Sequence, residues 1–117
     1  MIMLQFFLVL PHDARYENQG GDVIDCDFFR DLDLNSLIAL VAVYEEGNVS
    51  RAACRLHLTQ PAVSNKLAVL RCLLDDQLFV RSAKGVTPTT ELTVMMAKII
   101  PALELIEGVL KCSQTKV

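Results

Sequence analysis

Tryptophan is absent from the 117 residues, and there are only two tyrosines and two histidines. Two histidines, His12 and His57, exclude a His-rich metal site. Neither lies in a motif that would give a Ser/His/Asp triad its base. The four cysteines, Cys26, Cys54, Cys72 and Cys112, form no C-x-x-C pair, which argues against a zinc cluster or a redox pair. Scattered this widely, they read as reduced thiols of a cytosolic protein, packed as small hydrophobes. The chain has no G-x-G-x-x-G, no P-loop, no H-E-x-x-H and no nucleophile with a partnered base, so neither an enzyme nor a bound cofactor or metal is expected. No apolar run approaches the roughly 20 residues that cross a bilayer. The opening run MIMLQFFLVL ends at Pro11-His12-Asp13 and lacks both a cationic start and a small-residue cleavage site. It is expected to be a packed or loosely ordered extension, or an over-extended start of translation, and no membrane contact is expected. Without export, the sequon Asn48-Val49-Ser50 carries no meaning. Only five glycines, four prolines and a mean hydropathy of +0.37 argue against a disordered chain. The length suits one domain.

Charge is present but unevenly placed. The net charge of −3 looks wrong for a nucleic-acid binder until the chain is divided. Residues 1–48 carry a net −7, residues 49–84 a net +4, and residues 85–117 sum to zero. The basic stretch holds Arg51, Arg55, Lys66, Arg71, Arg81 and Lys84. Charge alone does not separate a binding face from a solvated one.

Periodicity organises the rest. Residues 1–32 read as an N-terminal extension, apolar and then acidic, with Gly20-Gly21 in its middle. Leu34, Leu37, Val41 and Tyr44 fall on one face of a helix that Gly47 ends by turning left-handed. Asn48 suits the N-cap of a second helix over about 49–56, whose Ala52-Ala53 pair lets another helix approach closely. His57-Leu58 makes a tight connection shielded by His57. Thr59 caps a third helix over 60–74, with Pro61 in the first turn, where its missing N–H costs nothing. Val63, Leu67, Leu70 and Leu74 form its buried face, and Pro61, Asn65, Ala68 and Cys72 its outer one. Two helices joined by a turn of about three residues make a helix-turn-helix. Leu78-Phe79-Val80, a turn at Ser82-Ala83-Lys84-Gly85, and Val86-Thr87-Pro88 predict a small hairpin wing. Thr89 or Thr90 caps a final helix on which Leu92, Met96, Ile99, Leu103, Ile106 and Leu110 form a heptad seam, interrupted by Pro101, where a kink is expected. Met95 and Met96 read as seam fillers. Such a seam needs the bundle or a second chain to cover it.

Taken together, Asp33-Leu34-Asn35-Ser36-Leu37, GNVSRAACRLHLTQPAVSNKLAVLR at 47–71, LFVR at 78–81 and VTPT at 86–89 resemble the N-terminal DNA-binding module of the LysR-type transcriptional regulators, over about two-thirds of the chain. The resemblance implies a mainly α fold: a winged helix-turn-helix over 33–88, in which a three-helix bundle carries a β-hairpin wing, followed by a linker helix over 89–117 that pairs with a second copy. The ligand-sensing domain that follows in the family has no counterpart here. A truncated regulator, natural or a fragment, is therefore expected, and no small-molecule effector.

The resemblance also assigns residues. Gln60, Pro61, Ser64 and Asn65 fall where the family meets base edges in the major groove. An amide such as Gln60 or Asn65 can take adenine bidentately, and Pro61 and Ala62 offer apolar contact to thymine methyls. Asn65 stands where arginine is common, which shifts the expected preference toward adenine. Thr59 and the adjoining helix terminus suit a phosphate. Arg51 and Lys66 are the expected salt-type phosphate contacts. Arg81 and Lys84 belong to the wing, and Lys84 replaces a frequent arginine, the better reader of a narrow A-tract groove. Each residue also has a plainer reading: Arg51 in a salt bridge with Glu45 or Glu46, Arg55 and Arg71 as solvated charges, Ser64 as a packing residue, Arg81 paired with Asp75 or Asp76. The expected function is a cytoplasmic, sequence-specific regulator that binds double-stranded DNA as a homodimer. About three to four neutralised phosphates per subunit imply a salt slope near −6. The alternative is a dimerisation or interaction module with little DNA affinity of its own, its acidic first third repelling DNA or covering the basic face.

Overall fold

A computed structural model of the chain describes residues 23–114. The expectations for the apolar start and the Gly20-Gly21 segment, residues 1–22, lie outside the described residues. Within the stretch read as an extension, Cys26–Asp31 forms a short helix, α1. Its cause is local: the Asp25 carboxylate accepts hydrogen bonds from the N–H groups of Asp27 and Phe28, and Phe28 packs against the core.

Three helices follow. Helix α2 spans Leu34–Glu46, α3 spans Val49–Leu56 and α4 spans Gln60–Leu74. Each begins on a side-chain cap: Asp33 Oδ1 takes the Ser36 N–H at 2.7 Å, Asn48 Oδ1 the Arg51 N–H at 2.9 Å, and Thr59 Oγ1 the Ala62 N–H at 3.2 Å. Gly47 at φ 66° and His57 at φ 58° end α2 and α3 in the left-handed region. His57 serves the turn through its backbone N–H, and the residue is exposed.

Helix α4 buries the Val63, Leu67, Leu70 and Leu74 face expected of it. Helix α2 differs. Its buried positions are Ser36, Ala39, Leu40, Ala42 and Val43, whereas Leu37, Val41 and Tyr44 are half-buried flanks and Leu34 is 55% exposed. Small residues let α2 sit close to its neighbours, so the tight contact falls on the Ser/Ala side and not on the bulky stripe.

Strands β1 (Phe79–Ser82) and β2 (Gly85–Pro88) pair antiparallel with Phe79 opposite Pro88 and Ser82 opposite Gly85. The strand begins one residue later than expected. Leu78 instead adopts φ 70° with its side chain fully buried, and the Phe79 N–H closes a three-residue turn onto the Gln77 carbonyl at 2.8 Å. Helix α5 runs Thr90–Gln114 as one helix through Pro101. Thr89 is its cap: its Oγ1 accepts from the Leu92 N–H at 3.1 Å while its hydroxyl donates to Asp76 Oδ2 at 3.0 Å. The core joins α2 to α5 and the start of the hairpin through Leu40, Leu67, Leu70, Leu78 and Leu92. The cysteines do not join it. All four are exposed, because they fall on outer helix faces or near chain ends.

Candidate nucleic-acid interface

The outer face of α4 is open. Gln60, Pro61, Ser64, Asn65 and Ala68 are all exposed, opposite the Val63–Leu74 stripe that anchors the helix. The 100° step of the helix divides the expected contact residues into two flanks. Gln60 and Ser64 turn toward the hairpin, where a groove of about 340 Å³ is lined by these two residues with Asn48, Ser50, Arg71 and Arg81. Ala62 and Lys66 turn the other way and are only half exposed. Thr59 is exposed but holds the α4 cap.

The cations fall into two groups. Arg51 and Arg55 are engaged with the end of α2. Arg51 donates to the Glu46 carbonyl at 3.0 Å and lies 3.7 Å from the Glu46 carboxylate. Arg55 pairs with Glu45 at 2.8 Å and Glu46 at 3.4 Å, which holds its guanidinium pKa above the ordinary value. Arg55 is therefore a paired charge and not a merely solvated one. Arg71, half-buried, donates from Nε to the Gln77 carbonyl at 3.0 Å and so braces the loop that leads into β1. Lys66 sits in the field of Asp33, whose carboxyl lies below its usual range, chiefly because it accepts hydrogen bonds from Ser36, with Lys66 a smaller cause. Arg81 and Lys84, exposed on the hairpin, have no ion pair among the described residues. Arg81 does not meet Asp75 or Asp76; Asp76 accepts from Thr89 instead.

Two contacts that the sequence reading does not anticipate shape this face. Ser50 Oγ donates to Gln60 Oε1 at 2.9 Å, across the turn between α3 and α4. The Gly47 carbonyl accepts from the Val86 N–H at 3.0 Å and so docks the hairpin beside α3. Neither contact has a periodic signal in sequence.

The heptad seam divides along α5. Leu92 and Met96 are buried in this chain's own core together with Met95, so they are not available to a second chain. Ile99 and Leu103 are half-buried. Beyond them Leu105, Ile106, Val109 and Leu110 are 70%, 47%, 60% and 58% exposed, a broad apolar face with nothing against it among the described residues. No helix among the described residues is long and apolar enough to cross a membrane.

Residues 34–91 match the family model "Bacterial regulatory helix-turn-helix protein, lysR family". The chain is 41% identical over 79 residues to the HTH-type transcriptional regulator LeuO of Escherichia coli (strain K12), covering 68% of this chain and 25% of that one. It is 42% identical over 81 residues to the HTH-type transcriptional activator NagR of a Ralstonia species, covering 69% and 27%. Among solved structures, the chain aligns with the CbnR DBD–DNA complex at a TM-score of 0.63 and 28% identity, covering 73% of this chain and 98% of that one. The chain spans about a quarter of the length of the curated relatives it matches.

Proposed function

Because residues 34–91 are a helix-turn-helix domain of the lysR family, we propose that this chain binds double-stranded DNA sequence-specifically and regulates transcription. The observation that carries the reading is the exposed face of α4, with Gln60, Ser64 and Asn65 beside Arg81 and Lys84 of the hairpin, which have no ion pair among the described residues. A helix of this width fits the major groove, where amide side chains meet base edges. Gln60 and Asn65 read bases, and Pro61 and Ala62 lie against thymine methyls. Thr59, at the amino end of α4, faces a phosphate. Arg81 and Lys84 reach the flanking groove or backbone. Arg51 joins them once a phosphate competes with Glu46, an exposed pair that is weak in water. Lys66, shared with Asp33 on the other flank, contributes less. The reading involves no catalytic step.

Two copies pair through the exposed apolar end of α5 and present two recognition helices to half-sites about one helical turn or more apart. With Arg55 and Arg71 occupied, roughly three phosphates per subunit give a slope of log affinity on log salt near −5 for the dimer. Selection of duplexes from a random pool, followed by anisotropy titrations across salt, tests the reading. An enriched motif and a steep negative slope support it; no enriched motif, or affinity indifferent to salt, overturns it.

A further inference from the structure

We propose that Ser50 is a positioning residue for base recognition and acts through Gln60; the inference rests on the DNA-binding reading above. The two residues are ten positions apart in sequence, yet the Ser50 hydroxyl donates to Gln60 Oε1 at 2.9 Å. Both stand at the groove between the helices and the hairpin, and both are exposed.

An unrestrained glutamine samples many rotamers, and its amide can turn over, exchanging a donor for an acceptor. Adenine tolerates one orientation only: the carbonyl toward its N6 amino group and the amino group toward N7. A serine hydroxyl can meet either end of that amide, as donor to Oε1 or as acceptor from Nε2–H, and here it donates to Oε1. The Ser50 bond therefore restricts the Gln60 rotamers and anchors the amide at the groove. It uses one of the two lone pairs of Oε1 and leaves the other, with both amide protons, for a base edge.

The surroundings make this restraint effective. Ser50 is the second residue of α3, inside the helix, and Asn48 caps that helix through the Arg51 N–H at 2.9 Å. The Ser50 hydroxyl thus has no part in the cap. Gln60 opens α4, whose start is fixed by Thr59 Oγ1 on the Ala62 N–H at 3.2 Å. Two backbones, each held by its own cap, carry the pair, so forming the bond restricts side chains only.

The test compares wild type, Ser50→Ala, Ser50→Thr, Gln60→Ala and the Ser50→Ala/Gln60→Ala double variant. Each is titrated with a duplex selected by the wild-type chain and with a scrambled duplex. Alanine is a strong helix former, so Ser50→Ala keeps the fold, which circular dichroism verifies. Ser50→Ala lowers the ratio of the two affinities by about three- to tenfold, the scale of one lost neutral hydrogen bond. The scrambled-duplex affinity and the salt slope stay unchanged. The loss falls at the base pair where Gln60→Ala relaxes preference. Ser50→Thr retains the ratio, and Ser50→Ala adds nothing in the Gln60→Ala background. Equal loss on both duplexes with a shallower salt slope makes Ser50 a phosphate contact and overturns the inference, as does additivity with Gln60→Ala or an unchanged ratio in Ser50→Ala. These outcomes leave the regulator reading standing. A pool with no enriched motif removes that reading and the role of Ser50 together.

Discussion

Gly47 and Gly85 meet so closely that a β-carbon on Gly85 would run into the Gly47 carbonyl oxygen. Gly85 also adopts φ +141°, a region that L side chains rarely enter, and the next N–H, that of Val86, donates to the same Gly47 carbonyl. Gly47 ends α2 in the left-handed region, so one residue both stops a helix and docks the wing. The position of Arg81 and Lys84 relative to α4 depends on this contact.

Gly85→Ala is therefore expected to destabilise the fold by about 1–3 kcal/mol, through strained backbone and a displaced hairpin. Chemical denaturation measures the loss. Because the wing shifts, DNA affinity should fall further than the unfolded fraction explains. An Ala variant as stable as wild type would show that the hairpin moves aside at no cost.

The helix-turn-helix was legible because its signals are local. Asn48, Thr59, Gly47 and Pro61 mark its boundaries by chemistry that acts within three or four residues, and Val63, Leu67, Leu70 and Leu74 repeat with the helical period. The open face of α4 follows as their complement. What stayed hidden has no period. The buried side of α2 is built from Ser36, Ala39 and Ala42, whose value lies in being small rather than apolar. The left-handed Leu78 breaks the expected strand start, since its backbone is set by burial and by the turn onto Gln77. Ser50 on Gln60 and Glu46 on Arg55 join side chains across turns, where spacing alone predicts no contact, whereas the Arg51–Glu46 pair matches the plainer reading of Arg51.

Glu46 pairs with two cations of the basic stretch, Arg51 and Arg55. Its carboxylate lies 3.7 Å from Arg51 and 3.4 Å from Arg55. Glu46→Gln removes the charge and nearly keeps the shape. Affinity for any duplex should rise about two- to fivefold at low salt, consistent with weak exposed pairs, and the gain should shrink as salt screens it. Paired titrations on selected and scrambled duplexes measure this, and both should gain alike. No gain at low salt would place Arg51 outside the backbone contacts.

Asp33 links stability to acid. Its carboxyl is held below the ordinary range, chiefly by the Ser36 N–H and to a smaller extent by the Ser36 hydroxyl and Lys66. A carboxyl whose folded pKa is depressed contributes stability that is present above its unfolded value of about 3.9 and is lost as pH falls through the folded one. Asn also caps a helix but does not titrate. The stability difference between wild type and Asp33→Asn should therefore be constant near neutrality and shift toward the variant as pH drops below about 4. Urea denaturation at stepped pH values reads the difference. A difference that does not change with pH would mean that the Asp33 charge takes no part in the cap.

The exposed end of α5 bears on assembly. Leu105, Ile106, Val109 and Leu110 form one broad apolar face, too wide for a strict two-position seam and left open after Leu92, Met95 and Met96 have packed inward. Burying it against a second copy would remove a large side chain from water at each position, and each fully buried side chain contributes about 1.5–3 kcal/mol. Ile106→Glu places a charge in the middle of that face. It leaves the domain core intact, because Ile106 is not among the core residues. The variant should sediment as a monomer at concentrations where the wild-type chain sediments as a dimer, with the same helical circular dichroism. Its affinity for a single half-site should stay near that of one wild-type subunit, while affinity for a two-half-site duplex falls by at least about tenfold, since the second helix no longer binds as an intramolecular event. If Ile106→Glu leaves both the sedimentation and the two-site affinity unchanged, the copies meet through another surface or not at all.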